Sequence, residues 1–362
     1  MAVTDTTAIS RPTASLSDRL GPLGQSLAPF VLALIVGAVV LTVTGKDALG
    51  TYATIFQQAF LGVTNLADTL LFSTPLILTG VATVVAFRAG VFNVGVEGSL
   101  YLGAFMAAWV GFTLTGLPGI LVLPLAFILA GVVGALWAWI PAALKAYLQV
   151  DEVVTTLMLN YIAIFFTSFL VNGPFLAQGT ANSMSPMVAP QAEVPHFMSS
   201  SQLNWSFVFA IALTLGLWWM LRRSTLGFAI RMVGDNPRFA AASGIRVART
   251  IIFAMLLSGM VGGFAGAAQI LGVNGRFIDN FSPGYGFQGI TVALLAAEQP
   301  LIIIPAAIFF GALTNGGGLV QLFSNIPIDL INVLQGTVML FATTRLGLKW
   351  YRKRKATVKD EK

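Results

Sequence analysis

Arg88, Asn93 and Glu97 put a cation, an amide and a carboxylate into one short stretch, RAGVFNVGVEG, spanning Arg88–Gly98. Its glycines Gly90, Gly95 and Gly98 let the backbone turn or approach a neighbour closely. The flanks are almost entirely hydrocarbon. Bare polar groups are costly in lipid, so such a break survives only where protein or a water-filled cavity satisfies it. It is therefore the first place to look for a transport path. Asn93 and Glu97 stand four apart and share a face if the break is helical there. On that face they can hydrogen-bond hydroxyls or the edge of a base. The alternative is local: Glu97 pairs with Arg88 or caps the following helix. Asn160 lies in an apolar helix and is either interhelical glue or path lining. Phe72, Phe92 and Phe287 offer ring faces on which a base can stack.

Other chemistries are excluded by what the chain lacks. It has no cysteine and a single histidine, His196, so disulfides, thiolate chemistry, metal clusters and histidine-based nucleophilic triads drop out. No catalytic residue, cofactor or metal is expected. The polar position of His196 makes it a surface histidine.

The elements that must position the break are membrane helices. Of 362 residues, 56% are hydrophobic and only 9% charged, against about 25% charged in soluble domains. The fold class expected is an all-α integral membrane protein. Apolar runs are read at Ala28–Thr44, Thr69–Phe87, Gly95–Leu114, Ile120–Ile140, Val153–Val171, Trp205–Leu221, Thr250–Leu271, Leu301–Leu313 and Ile326–Phe341. Phe287–Ala297 is a short or broken additional segment, which makes about ten in all at roughly 20 residues per span. Thr51–Asp68 looks amphipathic and interfacial. The organisation expected is a tail over residues 1–27, a single transmembrane domain over 28–345 and a basic tail over 346–362. The first apolar run is expected to be retained as a span rather than cleaved.

The formal net charge of +6 suits a membrane protein's basic cytoplasmic face and gives no reason to expect nucleic acid. With ten crossings and an inside N-terminus, all but Lys46 and Arg276 of the 20 Lys and Arg fall on the cytoplasmic side. Both termini and Arg222–Arg249 are then inside, and the long polar segment Asn172–Asn204 is outside. The chain also aligns with itself: Gly95-Val96-Glu97-Gly98 falls on Gly286-Phe287-Gln288-Gly289. On this topology the two copies run in opposite directions. Broken helices at matching positions of inverted repeats are a recurring transporter design. That makes Gln288, the partner of Glu97, a further candidate.

The cytoplasmic stretch Leu221–Val247 carries Arg222, Arg223, Arg231, Arg238 and Arg246 around the sequence GDNPRFAAASGI, Gly234–Ile245. Asp235 or Asn236 can cap a helix, Pro237 suits its first position, and Gly244 can end it. The helix encoded, of about two turns, is too short to stand alone in water. It is either a lipid-surface helix or a knob that fits a groove in a cytoplasmic partner, with small residues allowing close approach.

This segment resembles the coupling helix of ABC importer permeases, in the family serving branched-chain amino acids, simple sugars and nucleosides. Thr74–Gly80, Phe87–Gly98, Leu102–Ala104 and Glu152–Ala163 are similar to the nucleoside-type members. The Ile-Asp-Leu-Ser-type sequence of ribose-type permeases near Asn93 is absent. The resemblance covers about residues 28–345. It implies a transport subunit, not an enzyme, whose ATP is hydrolysed by a separate cytoplasmic ABC ATPase. This chain indeed has no phosphate-binding loop of the G-x-x-x-x-G-K-[ST] kind. It also implies a second permease, a paralogue by the nucleoside resemblance, and a periplasmic or lipid-anchored binding protein, in a bacterial or archaeal plasma membrane. Asn93, Glu97, Gln288, Asn160, Phe92 and Phe287 would then line the path. Asp235, Asn236, Pro237, Arg238, Ala240, Ala241 and Gly244 would couple to the ATPase. The alternatives are a simple-sugar ABC permease and, in another class, an ion-coupled secondary transporter. The second does not explain the isolated Asp235–Ile245 helix.

Overall fold

The computed structural model describes residue 32, residues 34–324 except 181, and residues 333, 335–337 and 340. The expected segment Ile326–Phe341 and both tails lie largely or wholly outside the described residues. The chain divides into two units: residues 1–48 with 333–362, and residues 49–332. In the first, the expected run Ala28–Thr44 is described as a helix over Leu34–Val43, α1.

Among its described residues the second unit is mainly helical, with one hairpin. It holds α2 (Ala48–Phe60, begun at the unit's edge), α3 (Val63–Arg88), α4 (Val96–Thr113), α5 (Gly119–Leu148), α6 (Glu152–Asn172) and α7 (Trp205–Arg223). After these come α8 (Thr225–Asp235), α9 (Pro237–Ala242), α10 (Val247–Gln269), α11 (Tyr285–Leu295) and α12 (Pro300–Ser324). Of these, α3, α5, α6, α7, α10 with its extension to Asn274, and α12 are long and apolar enough to cross a membrane. At 11 residues, α11 is about 16 Å long, roughly half the ~30 Å of a bilayer's hydrocarbon core.

Several bounds differ from the sequence expectation. α3 starts at Val63 rather than Thr69, because the backbone breaks at Gly62, which has φ 102°. α5 runs on to Leu148 through Pro141, and its last turn carries Lys145, which pairs with Glu152 at 2.6 Å. A proline in a membrane helix is tolerated where neighbours satisfy the freed backbone groups. α12 continues to Ser324, past the expected end at Leu313.

Burial separates a centre from a rim. In α3 and α10 the most apolar windows are 78% and 67% buried; in α6 and α7 they are 22% and 28%. α10 packs against α5, α4 and α3, while α3 packs against α12, α11 and α10. The two central helices thus hold matching positions, each against a later or earlier pair. Small residues bring the backbones together. A Cβ on Gly103 of α4 would lie 2.4 Å from the Cα of Gly263 in α10, so neither position has room for a side chain.

At one end of the bundle, residues 173–180 and 182–204 fold back over the helix ends. A short 3-10 turn, Pro190–Ala192, precedes an antiparallel hairpin of β1 (His196–Met198) and β2 (Ser201–Asn204). Main-chain bonds from Ser185 to Phe277, Val188 to Gly275 and Val194 to Leu271 tie this segment to the end of α10. There the helix loosens into a π turn at Ile270–Asn274.

Candidate functional site

The break lies between α3 and α4 and is fully knitted into the protein. Arg88 ends α3, and Gly90 follows in the left-handed region at φ 74°. The Nε and Nη2 groups of Arg88 donate to the carbonyl of Glu298 at 3.1 and 3.0 Å. That carbonyl is offered by a turn in which Ala297 and Glu298 both have positive φ, 48° and 58°. Two consecutive non-glycine residues in this region are uncommon and costly, so the turn is held by its surroundings. Arg88 is part of what holds it.

Asn93 donates through Nδ2 to Ser258 Oγ on α10 at 2.9 Å and accepts from the Gly95 amide at 2.9 Å. Asn160 on α6 accepts from the Gly98 amide at 2.8 Å and donates to the Val94 carbonyl at 2.9 Å. Thr156 accepts from the Val94 amide at 3.3 Å. Glu97, in the first turn of α4, accepts from the Gly286 amide in the first turn of α11 and from the Ser282 hydroxyl. The starts of two helices, each with its positive dipole end, therefore converge on one carboxylate. Asn93 and Glu97 are each 2% exposed and Asn160 is 1% exposed. Their side chains end on protein.

The two charged residues of the break grip α11 at both ends, Glu97 at its start and Arg88 just past its finish. The segments aligned in the sequence, Gly95–Gly98 and Gly286–Gly289, meet in space. A Cβ on Gly286 would lie 2.5 Å from the backbone nitrogen of Glu97. Gln288 is half-buried and donates to the Pro283 carbonyl at 3.4 Å. Phe92 is 39% exposed and stacks on Phe87, with ring centroids 4.7 Å apart; Phe287 is 38% exposed.

The arginine-rich stretch touches the break directly. Gly234, near the end of α8, lies against Arg88–Gly90: a Cβ there would be 2.3 Å from the Arg88 carbonyl oxygen. Two residues on, Asn236 caps α9, its side chain accepting from the Phe239 amide at 3.1 Å. Pro237 takes the first helical position, and Gly244 sits at φ 84° after the helix ends. Cap, first residue and stop signal fall where the sequence puts them. Ala240 is buried and anchors the helix, whereas Asp235, Asn236, Arg238, Phe239 and Ala241 are exposed.

A second polar region, which the sequence does not reveal, lies at the hairpin end. A cavity of about 700 Å³ is walled by Asp68 and Phe72 of α3, Glu193, His196, and Gly272 and Asn274 of the π turn. This volume lies within the range of small-molecule sites, about 300–1,000 Å³. The Gly272 carbonyl accepts from Asn204 Nδ2 at 2.8 Å and lies 3.2 Å from His196 Nε2. Ser201 donates to Asp68 at 2.6 Å, joining the hairpin to α3. Of the residues singled out from the sequence, Phe72 and His196 reach this cavity.

The described residues thus make a multi-pass helical membrane protein with a short helix clamped inside it. The chain belongs to the family described as branched-chain amino acid transport system, permease component, whose model matches residues 65–343. It is 33% identical to the glucose ABC transporter permease protein TsgB13 of Haloferax volcanii, over 91% of this chain and 89% of that protein. It is 32% identical to the guanosine ABC transporter permease protein NupP of Bacillus subtilis, over 92% and 96%. It is 31% identical to the nucleoside ABC transporter permease protein NupB of Lactococcus lactis, over 88% and 90%. The last two organisms each have a further permease relative, 28% identical to this chain. No solved structure is a significant match. As a member of this family, the chain is a transport component.

Proposed function

We propose that this chain is the permease subunit of an ATP-driven ABC importer in the plasma membrane, carrying nucleosides or related small polar solutes. The observation that carries the reading is the seat of Gly234 on Arg88–Gly90. It joins the exposed α8–α9 knob, where an ATPase would dock, to the break that clamps α11. Asp235, Asn236, Pro237, Arg238, Ala240, Ala241 and Gly244 form that coupling element within 222–249. The names of NupP and NupB favour nucleosides; that of TsgB13 supports a simple sugar as the second reading. The paired relatives of two organisms favour a paralogous second permease over an identical one. A binding protein outside completes the assembly.

The membrane domain is a single permease unit over 28–345 with about ten segments and both termini inside. Supporting this, Arg88, Lys145, Glu152 and Glu298 gather at one end of the bundle, and Asp68, Glu193, His196 and Asn274 at the other. α3–α5 and α10–α12 are inverted repeats, for which the exchanged packing of α10 on α5 and α3 on α12 speaks. The hairpin-end cavity is then the outer vestibule that receives solute. From it the path passes the exposed faces of Phe92, Phe287 and Gln288, with Asn93, Glu97 and Asn160 shaping the wall from behind. ATP-driven closure of the ATPase moves α9, and Gly234 passes that movement to the break.

Uptake in cells tests the reading. Solute accumulation should stop when the partner ATPase is inactivated; undiminished accumulation would point to the ion-coupled class. Ala241→Glu should release the ATPase from the purified complex while the membrane fold persists. Wild-type co-purification would remove the docking role.

A further inference from the structure

Below the break lies a second cavity, of about 340 Å³, that the transport path does not use. Its walls include three guanidiniums from three helices: Arg88 at the end of α3, Arg222 at the end of α7 and Arg231 in α8. Gln299 and the start of α12 close another side. No Asp or Glu lines it, and none of the three arginines makes an ion pair with a carboxylate among the described residues.

Like charges gathered without a counter-charge repel one another, and partial removal from water strengthens that repulsion. Two of the guanidiniums are also positioned. Arg88 is fixed by its two bonds to Glu298. Arg222 lies over the Trp218 ring, 5.3 Å from its centroid, and Trp218 itself lines the cavity. Planar guanidiniums held in this way match a phosphate group, which accepts two parallel bonds from each.

We propose that this cavity binds the phosphate headgroup of an anionic membrane phospholipid. The surroundings favour lipid over a free anion. α7 is a rim helix whose window is only 28% buried, with Leu215 and Trp219 exposed, so its outer face meets acyl chains. The cavity lies at the end of that helix, where the exposed Leu301 lines it together with Trp218 and Arg222. Trp218 and Trp219 stand where aromatic side chains gather, at the level of the headgroups. Basic pockets between membrane helices on the cytoplasmic side are sites of this kind. A bound headgroup would bridge α8 to α7 and the start of α12, and so steady the element that touches the break. Only the leaflet, the inner one, depends on the orientation proposed above; the site itself does not depend on the transport reading.

Native mass spectrometry of the purified full-length chain, in its complex, tests this after exchange into mixed phosphatidylglycerol and phosphatidylcholine. Wild type should retain phosphatidylglycerol in preference. Arg222→Gln with Arg231→Gln should lower that preference roughly 5-fold for each arginine removed. Arg223→Gln should leave it unchanged, since Arg223 carries the same charge on the same helix but does not line the cavity. Equal retention by the double variant and Arg223→Gln would overturn the proposal. So would displacement of the retained lipid by millimolar inorganic phosphate, which would assign the site to a free anion. None of these readouts involves uptake, so failure of the transport reading would leave them standing.

Discussion

The break and the hairpin-end cavity are both polar, and they use their polar groups in opposite ways. At the break, Asn93, Glu97 and Asn160 end on Ser258, Gly286 and Val94, and these three side chains are buried to within a few per cent. At the cavity, Asp68, Glu193 and His196 surround about 700 Å³ of open space beside the Phe72 ring. Polar residues in apolar sequence are therefore not by themselves a binding site. Here they hold two helix starts together, and the open volume forms where ordinary loops fold back over helix ends.

Four substitutions at three positions would break or sharpen that contrast. Gly286→Ala should have the largest effect. Its Cβ would lie 2.5 Å from the Glu97 backbone nitrogen, so α4 and α11 must part. Overpacking of this kind costs about 1–3 kcal/mol and sometimes more. Uptake should be lost, and the purified protein should unfold at a lower temperature. Glu97→Ala comes next, since it strips the Gly286 amide of its acceptor. A buried donor left unpaired costs about 1–3 kcal/mol, readable as a fall in thermal stability. Glu97→Gln should recover most of that loss, because an amide oxygen can still accept. Phe72→Ala should be the mildest. It removes a stacking face worth about 1–3 kcal/mol per base, so the solute concentration for half-maximal uptake should rise, by about fivefold at the lower bound. Stability should fall least of the set, because Phe72 lines the cavity and is only partly buried.

Much of this was legible in the sequence. Membrane character followed from hydropathy, and the α9 helix from Asn236, Pro237 and Gly244, because capping is local chemistry. The alignment of Gly95–Gly98 with Gly286–Gly289 marked two segments that do meet. The rest depended on distant partners. Nothing near Arg88 announces that its acceptor is the carbonyl of Glu298, on a strained turn far along the chain. The continuation of α5 through Pro141 to Leu148 depends on neighbours satisfying a helix that local rules would stop. The cavity was hidden for the same reason. Its walls come from residues 68–72, 187–202 and 271–275, and the π turn that bends the last of these has no reliable local signal.

The central claim is that Glu97 frames the path and does not select what passes. ATP-driven uptake by reconstituted Glu97→Gln transporter, compared across purine nucleosides, pyrimidine nucleosides, free bases and simple sugars, tests it most directly. The account predicts the wild-type order of preference, with at most a uniform change in rate. A reordered preference would place the carboxylate on the solute and contradict it.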